Sequence, residues 1–287
     1  MAKTIETPDG IRLWTREIGD GPPIVVVHGG PGMSSGSLIG DLHPLAATHR
    51  MIYYDQRGGG RSTLPPRRSD LTIEANVRDL ESVRRAFRLD RMTILAHSFG
   101  AAIAALYAVA HPARVERMVF LAPIPPRRGT FFEEFAAEIR ARLSAEDHAR
   151  SAELLEAIEK RRDVTAACRE YWRIQTPPRL ARGTDPRVLK SDLVAAPPEA
   201  IRVGMLQTNP AVFASLGDWD WTRALATLEV PTLIVHGEED AIPLAMVSAW
   251  TAMPWSRLLP LPATGHFPHA ERPDIVFPAI ETFLGGE

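Results

Sequence analysis

The sequence holds a single cysteine, Cys168, so no disulfide can close within the chain. That fits a reducing compartment and an inert thiol. It also lacks charge of one sign. Its 33 basic and 35 acidic residues leave a formal net charge of −2, and nothing points to nucleic acid or an anionic membrane as partner. Long apolar runs are missing too. The longest, residues 101–110, is far too short to span a bilayer. Met1-Ala2-Lys3-Thr4-Ile5-Glu6 has no apolar core after its basic residue, so no signal peptide is expected and a cytoplasmic location is. There are no internal repeats and no low-complexity tract. What the chain does have is 25 prolines, gathered in loops and at element starts, and 45% hydrophobic residues over 287 positions. That is enough for a substantial core in one large domain or two small ones.

The pattern of elements is an alternation. Residues 5–17 read as a hairpin turning at Pro8-Asp9-Gly10. Short β-branched or apolar runs at 24–27, 51–54, 92–96, 115–121, 232–236 and 257–261 read as buried strands. Residues 71–89 place Ile73, Val77, Leu80, Val83 and Phe87 on one helical face. Residues 101–110 are too long and too alanine-rich for a strand, and stop at His111-Pro112. Residues 273–284 form a closing helix. Strands alternating with helices predict an α/β fold with a mostly parallel twisted sheet covered on both faces. From 123 to 216 the alternation breaks into helical patterns, 131–143 and 152–162 among them, punctuated by Pro177-Pro178 and Pro197-Pro198. The expected division is a core of residues 1–123 and 217–287 with a helical insertion over 124–216.

Chemistry concentrates at strand ends. Ala96-His97-Ser98-Phe99-Gly100 lies between a strand and a helix, the setting of a G-x-S-x-G nucleophile elbow with Ala96 in place of the first glycine. A serine on such a turn is pushed forward, with a helix N-terminus behind it. Asp240 follows the 232–236 strand and His266 follows the 257–261 strand, so the chain order is serine, acid, histidine. A serine hydroxyl needs an imidazole to take its proton, and the imidazole needs a carboxylate to hold its tautomer. His269 competes with His266 as the base, and Glu238 and Glu239 compete with Asp240. His28-Gly29-Gly30-Pro31-Gly32 follows the 24–27 strand. There the backbone N–H of Gly30, with that of Phe99, would receive a developing oxyanion.

With Asp55-Gln56-Arg57-Gly58-Gly59-Gly60-Arg61-Ser62, these motifs give the chain its resemblance to the α/β-hydrolases, most of all the proline iminopeptidase-like branch. The resemblance spans residues 24 to 270. It implies the α/β-hydrolase fold, the trio Ser98, His266 and Asp240, and a cap made by the insertion. It departs at the elbow, where that branch usually has Gly-Gly-Ser-Trp-Gly. The branch also uses cap glutamates to hold a substrate's free amino group; Glu170 and Glu199 are candidates, and neither lies in a matching motif.

Other residues carry weaker signals. The three glycines at 58–60 match neither a dinucleotide fingerprint nor a P-loop and read as a tight loop pinned by Asp55 and Arg57. His28 and His236 read as structural. His97, Glu170, Trp172 and Trp219 are candidate pocket residues. A His266-x-x-His269 metal site lacks a third ligand cluster, and no metal or organic cofactor is expected. The expectation is a serine hydrolase cleaving a small ester, lactone or amide through an acyl-enzyme, on a small-molecule or short-peptide substrate. Release of N-terminal proline, C–C bond hydrolysis and a non-catalytic ligand receptor on the same fold are the alternatives. Substrate identity and oligomeric state are not legible in the sequence.

Overall fold

The computed structural model describes residues 2–286. Eight strands form one sheet: β1 (Ala2–Glu6), β2 (Arg12–Ile18), β3 (Pro23–Val27), β4 (Arg50–Tyr54), β5 (Met92–His97), β6 (Val115–Leu121), β7 (Thr232–Gly237) and β8 (Ser256–Leu261). Their order is β1-β2-β4-β3-β5-β6-β7-β8. β2 pairs antiparallel with β1 and with β4, and the remaining neighbours are parallel. β1 and β2 are the expected hairpin, closed by Thr7 and by Gly10 at φ +79°.

β3 and β5 are neighbours, and the connection after β3 runs to β4 on one side while that after β5 runs to β6 on the other. Such a reversal opens a crevice at the carboxyl ends of the strands, where open α/β sheets bind ligands. The loops after β3 and β5 are the two that carry Gly30 and Ser98.

The central parallel strands are apolar over most of their length because both faces are covered, while the edge strand β8 is only partly buried. One face sends Val25, Val27, Ile52, Tyr54, Ile94 and Phe120 into a cluster with the helices Ile73–Ala86 and Gly100–Ala110. The other sends Ile24, Val26, Tyr53, Leu95, Val119 and Val235 against Leu38, Leu42, Val276 and Ile280. Gly100–Ala110 is buried almost all round, which explains its small residues: alanine lets a helix sit close to both sheet and neighbouring helix. Ile73–Ala86 starts at Thr72, whose hydroxyl accepts the Ala75 N–H.

Between β6 and β7 the described residues form helices Phe131–Arg142, Ala145–Glu159 and Val164–Gln175, then Pro198–Val203 and Asn209–Ser215 joined by a π-helical turn, Gly204–Thr208. Leu154, Ile158, Cys168, Ile174 and Ile201 give this segment an apolar cluster of its own. Burial there pushes the Cys168 thiol up to about 11. The second helix begins seven residues before the expected 152, at a capping box. The Ser144 hydroxyl accepts the Asp147 N–H at 3.0 Å and the Asp147 carboxylate accepts the Ser144 N–H at 3.4 Å. Among the described residues no helix is long and apolar enough to cross a membrane.

Candidate active site

Ser98 directly follows β5, with Phe99 between it and the helix Gly100–Ala110, and its φ is +53°. A non-glycine residue in that region is strained by about 1–3 kcal/mol and persists only when its surroundings hold it. Here the Ser98 N–H donates to Leu121 O at 2.9 Å, and Ser98 O accepts from Ala101 and Ile124. Gly29 must be glycine for the neighbouring loop to come this close. A Cβ there would sit 2.9 Å from both Ser98 Cβ and His97 Nδ1.

His266 Nε2 is 3.1 Å from Ser98 Oγ, and His266 Nδ1 is 2.8 Å from Asp240 Oδ2. Residues far apart in the chain thus form one hydrogen-bonded line. The other Asp240 oxygen accepts the Ile242 N–H at 3.0 Å. Burial resists the charge on Asp240, but His266 and the Ile242 N–H outweigh it and hold the carboxyl below its usual range. His266 is fixed through its backbone as well: its N–H donates to Arg179 O at 2.7 Å and its carbonyl meets His97 Nε2 at 3.0 Å. A carbonyl only accepts, so His97 carries its proton on Nε2. Burial holds the His97 pKa well below the ordinary histidine value, so the ring is neutral.

Of the rivals, Glu239 accepts the Arg182 N–H, and His269 is buried with neither ring nitrogen partnered. Among the described residues no group of three His, Cys, Asp or Glu side chains is placed to hold a metal ion. His28 bridges two loops: its Nδ1 donates to Gly29 O at 2.8 Å and its Nε2 accepts the Gln56 N–H at 3.1 Å. Asp55 and Arg57 hold the glycine loop by separate means. Asp55 accepts from Ser35 and Arg61, while Arg57 reaches Asp79 at 2.6 Å and Asp9 at 3.1 Å.

A cavity of about 610 Å³ opens in front of Ser98. Gly30, His97, Ser98, Phe99 and His266 line its floor, and Phe131, Phe132, Phe135, Tyr171, Trp172 and Phe213 form an aromatic wall from the helical segment. Gly30 and Phe99 lie in the lining with their backbone N–H groups finding no acceptor among the described residues. Two sequence candidates are not in the lining. Glu170 receives two hydrogen bonds from Arg150 at the protein surface. Trp219 sits behind the wall, edge-on to Phe132, its Nε1 donating to Pro125 O at 3.1 Å. Glu199 is likewise paired at the surface, with Arg202 and Arg161. The physical reason is common to both glutamates: a nearby arginine offers a carboxylate more than an apolar cavity does.

Sequence reasoning missed three contributors. Of the aromatic wall only Trp172 is a sequence candidate, because Phe131, Phe132, Phe135, Tyr171 and Phe213 lie in no motif. Arg179 follows Pro177-Pro178, a pair that reads in the sequence only as punctuation between helices. Glu271 accepts the N–H groups of Ala181, Gly265 and Phe267, tying the His266 loop to the helical segment.

The family model for the alpha/beta hydrolase fold matches residues 22–273. The chain belongs to this family. Within the family it is similar to proline iminopeptidases: 26% identical over 278 residues to one from Xylella fastidiosa, covering 90% of this chain and 88% of that one. A proline iminopeptidase from Heyndrickxia coagulans is 40% identical over 107 residues, 37% of each chain, so that match spans well under half of the relative's length. A solved thermophilic esterase from Thermogutta terrifontis superposes with a TM-score of 0.71 at 24% identity, covering 99% of this chain and 98% of that one. At that identity the likeness bears on the alpha/beta hydrolase fold alone.

Proposed function

We propose that this alpha/beta hydrolase is a serine hydrolase that cleaves a small ester, lactone or amide through an acyl-enzyme. The observation that carries the reading is the hydrogen-bonded line Asp240–His266–Ser98, ending in a cavity that could enclose a small substrate. Ser98 Oγ attacks the acyl carbonyl as His266 Nε2 takes its proton. Asp240 keeps the opposite ring nitrogen protonated and stabilises the imidazolium. The Gly30 and Phe99 N–H groups receive the oxyanion. His266 returns the proton to the leaving group, then activates the water that releases the acyl group. Residues 124–216 act as a cap that supplies the apolar wall and excludes bulk water.

The relatives' name favours a second reading, release of N-terminal proline. That activity needs the free amine of the substrate to be held, and the cavity lining contains neither aspartate nor glutamate. Acyl hydrolysis without amine recognition is therefore the better-supported reading.

Wild type and Ser98→Ala should be compared on 4-nitrophenyl acetate and butyrate and on proline 4-nitroanilide, with thermal unfolding in parallel. Ester turnover that vanishes in a normally folded variant supports the proposal. Proline release of comparable efficiency would replace it with the iminopeptidase reading. Ester turnover that persists in Ser98→Ala would remove Ser98 from the mechanism.

A further inference from the structure

The cap places one cation in the cavity without a carboxylate to meet it. Arg179 ends the short turn Pro177–Arg179. Its backbone carbonyl accepts the His266 N–H, so the residue begins beside the proposed base. Its side chain lines the cavity. Arg142, Arg150, Arg161, Arg169 and Arg202, on the same helical segment, each meet an aspartate or glutamate. Arg179 meets none within ion-pair distance among the described residues. Its Nη1 donates to the carbonyl oxygen of Gln175 and, at 3.2 Å, to the Gln175 side chain. The Phe135 and Trp172 rings each lie 5.6 Å from the guanidinium carbon.

A guanidinium carries five N–H donors in a fixed fork, and Gln175 occupies only one of its nitrogens. Burial lowers the Arg179 pKa, yet arginine stays protonated at any working pH. Asp240 attracts it through space, but both Asp240 oxygens are taken, by His266 and by the Ile242 N–H. Arg179 is partly buried, and a cation held there with free donors is relieved by a ligand of opposite charge. The planar fork matches a carboxylate in two parallel hydrogen bonds. The aromatic and aliphatic remainder of the wall suits a short hydrocarbon linking that carboxylate to the scissile bond.

We infer that Arg179 makes the site selective for substrates bearing a carboxylate at the end remote from the cleaved bond, such as half-esters of short dicarboxylic acids. This rests on the serine-hydrolase reading of the same cavity. It also sets the polarity of recognition opposite to that needed for a free amine.

The test compares mono-4-nitrophenyl adipate with 4-nitrophenyl hexanoate, matched in acyl length, on wild type, Arg179→Gln and Arg179→Lys. Circular-dichroism melts check that the variants fold. Wild type should favour the adipate ester in kcat/KM by about 10- to 100-fold, the size of a charge-assisted hydrogen-bonded pair. That ratio should fall toward one in Arg179→Gln and be partly kept in Arg179→Lys. Equal use of the two esters by wild type, or a preference that survives in Arg179→Gln, overturns the inference while leaving the hydrolase reading intact. If wild type cleaves neither ester, the hydrolase reading fails, and calorimetric titration with adipate decides the carboxylate site. Heat of binding present in wild type and absent in Arg179→Gln supports the site, and no binding to wild type overturns it.

Discussion

Gly32 and Gly204 meet backbone against backbone. A Cβ on Gly204 would lie 2.0 Å from Gly32 O, and one on Gly32 would lie 2.2 Å from Gly204 O. Gly32 belongs to the glycine loop after β3, and Gly204 opens the π-helical turn in the helical segment between β6 and β7. Two hydrogen bonds reinforce the join: Thr208 Oγ1 donates to Gly58 O at 2.7 Å and Asn209 Nδ2 to Pro31 O at 3.2 Å. Single π-turns inside helices are frequent at functional sites. This one widens the helix where it crosses the loop that carries Gly30.

Gly204→Ala should therefore force the cap helix and the loop apart. Overpacking of this kind costs about 1–3 kcal/mol of stability. Displacing the Gly30 N–H from the reacting oxygen should lower kcat by about 10- to 100-fold. Denaturant unfolding and steady-state kinetics on 4-nitrophenyl butyrate check both. Unchanged kcat in the folded variant would show that the join does not position the loop.

Asp240→Asn keeps the shape of the site but removes the acceptor that fixes the His266 tautomer. A fall of about 10⁴-fold in kcat with near-normal thermal unfolding is expected. Retained activity would hand the role to another carboxylate, with Glu238 and Glu239 the nearest in sequence.

The Arg57–Asp79 pair lies wholly inside the protein, beneath the glycine loop. Asp79→Ala should cost about 3–5 kcal/mol, because it strands a buried guanidinium that Asp9 meets only from the surface side. The double variant Arg57→Met, Asp79→Leu should recover much of that loss, since it removes both charges and refills the volume. Chemical denaturation of the three proteins gives the comparison. A double variant no more stable than Asp79→Ala would mean that the pair fixes the loop in a way apolar packing cannot replace.

His269 supplies a pH dependence. Burial pushes its pKa down to about 4, with His266 adding to the effect and Asp41 opposing it. In the unfolded chain a histidine titrates near its ordinary value of about 6.5. Between these two values the unfolded state binds a proton that the folded state does not, so stability falls as pH falls from about 6.5 to about 4. The contribution reaches about 3 kcal/mol at the acid end. His97, His28 and His236 are shifted in the same direction by burial and steepen the fall. The unfolding temperature of wild type should fall relative to that of His269→Gln as pH is lowered across this range. Parallel curves would show that His269 does not titrate differently on folding.

Much of the fold was legible because its signals are local. A strand covered on both faces must be apolar along its length, so β3, β5, β6 and β7 stand out as runs. The elbow could be read from five residues because a strand-to-helix turn restricts size and φ within those five. The helix Ala145–Glu159 was read as starting seven residues late because its opening turn is polar and only the Ser144 cap marks it. Glu170 and Glu199 were plausible amine binders by composition, and their surface arginine partners, Arg150 on a neighbouring helix and Arg161 and Arg202, became visible only once the cap was folded.

The sequence alone determined the alternation of strands and helices, the order serine, acid, histidine, and the glycine loops at strand ends, since each depends on conformational limits within a few neighbouring residues. The tertiary structure decided the cavity, its aromatic wall, the place of Arg179 and the contact of Gly32 with Gly204. Those depend on how the helices between β6 and β7 dock against loops distant in the chain, and an amphipathic pattern states which face of a helix is apolar without stating what that face meets.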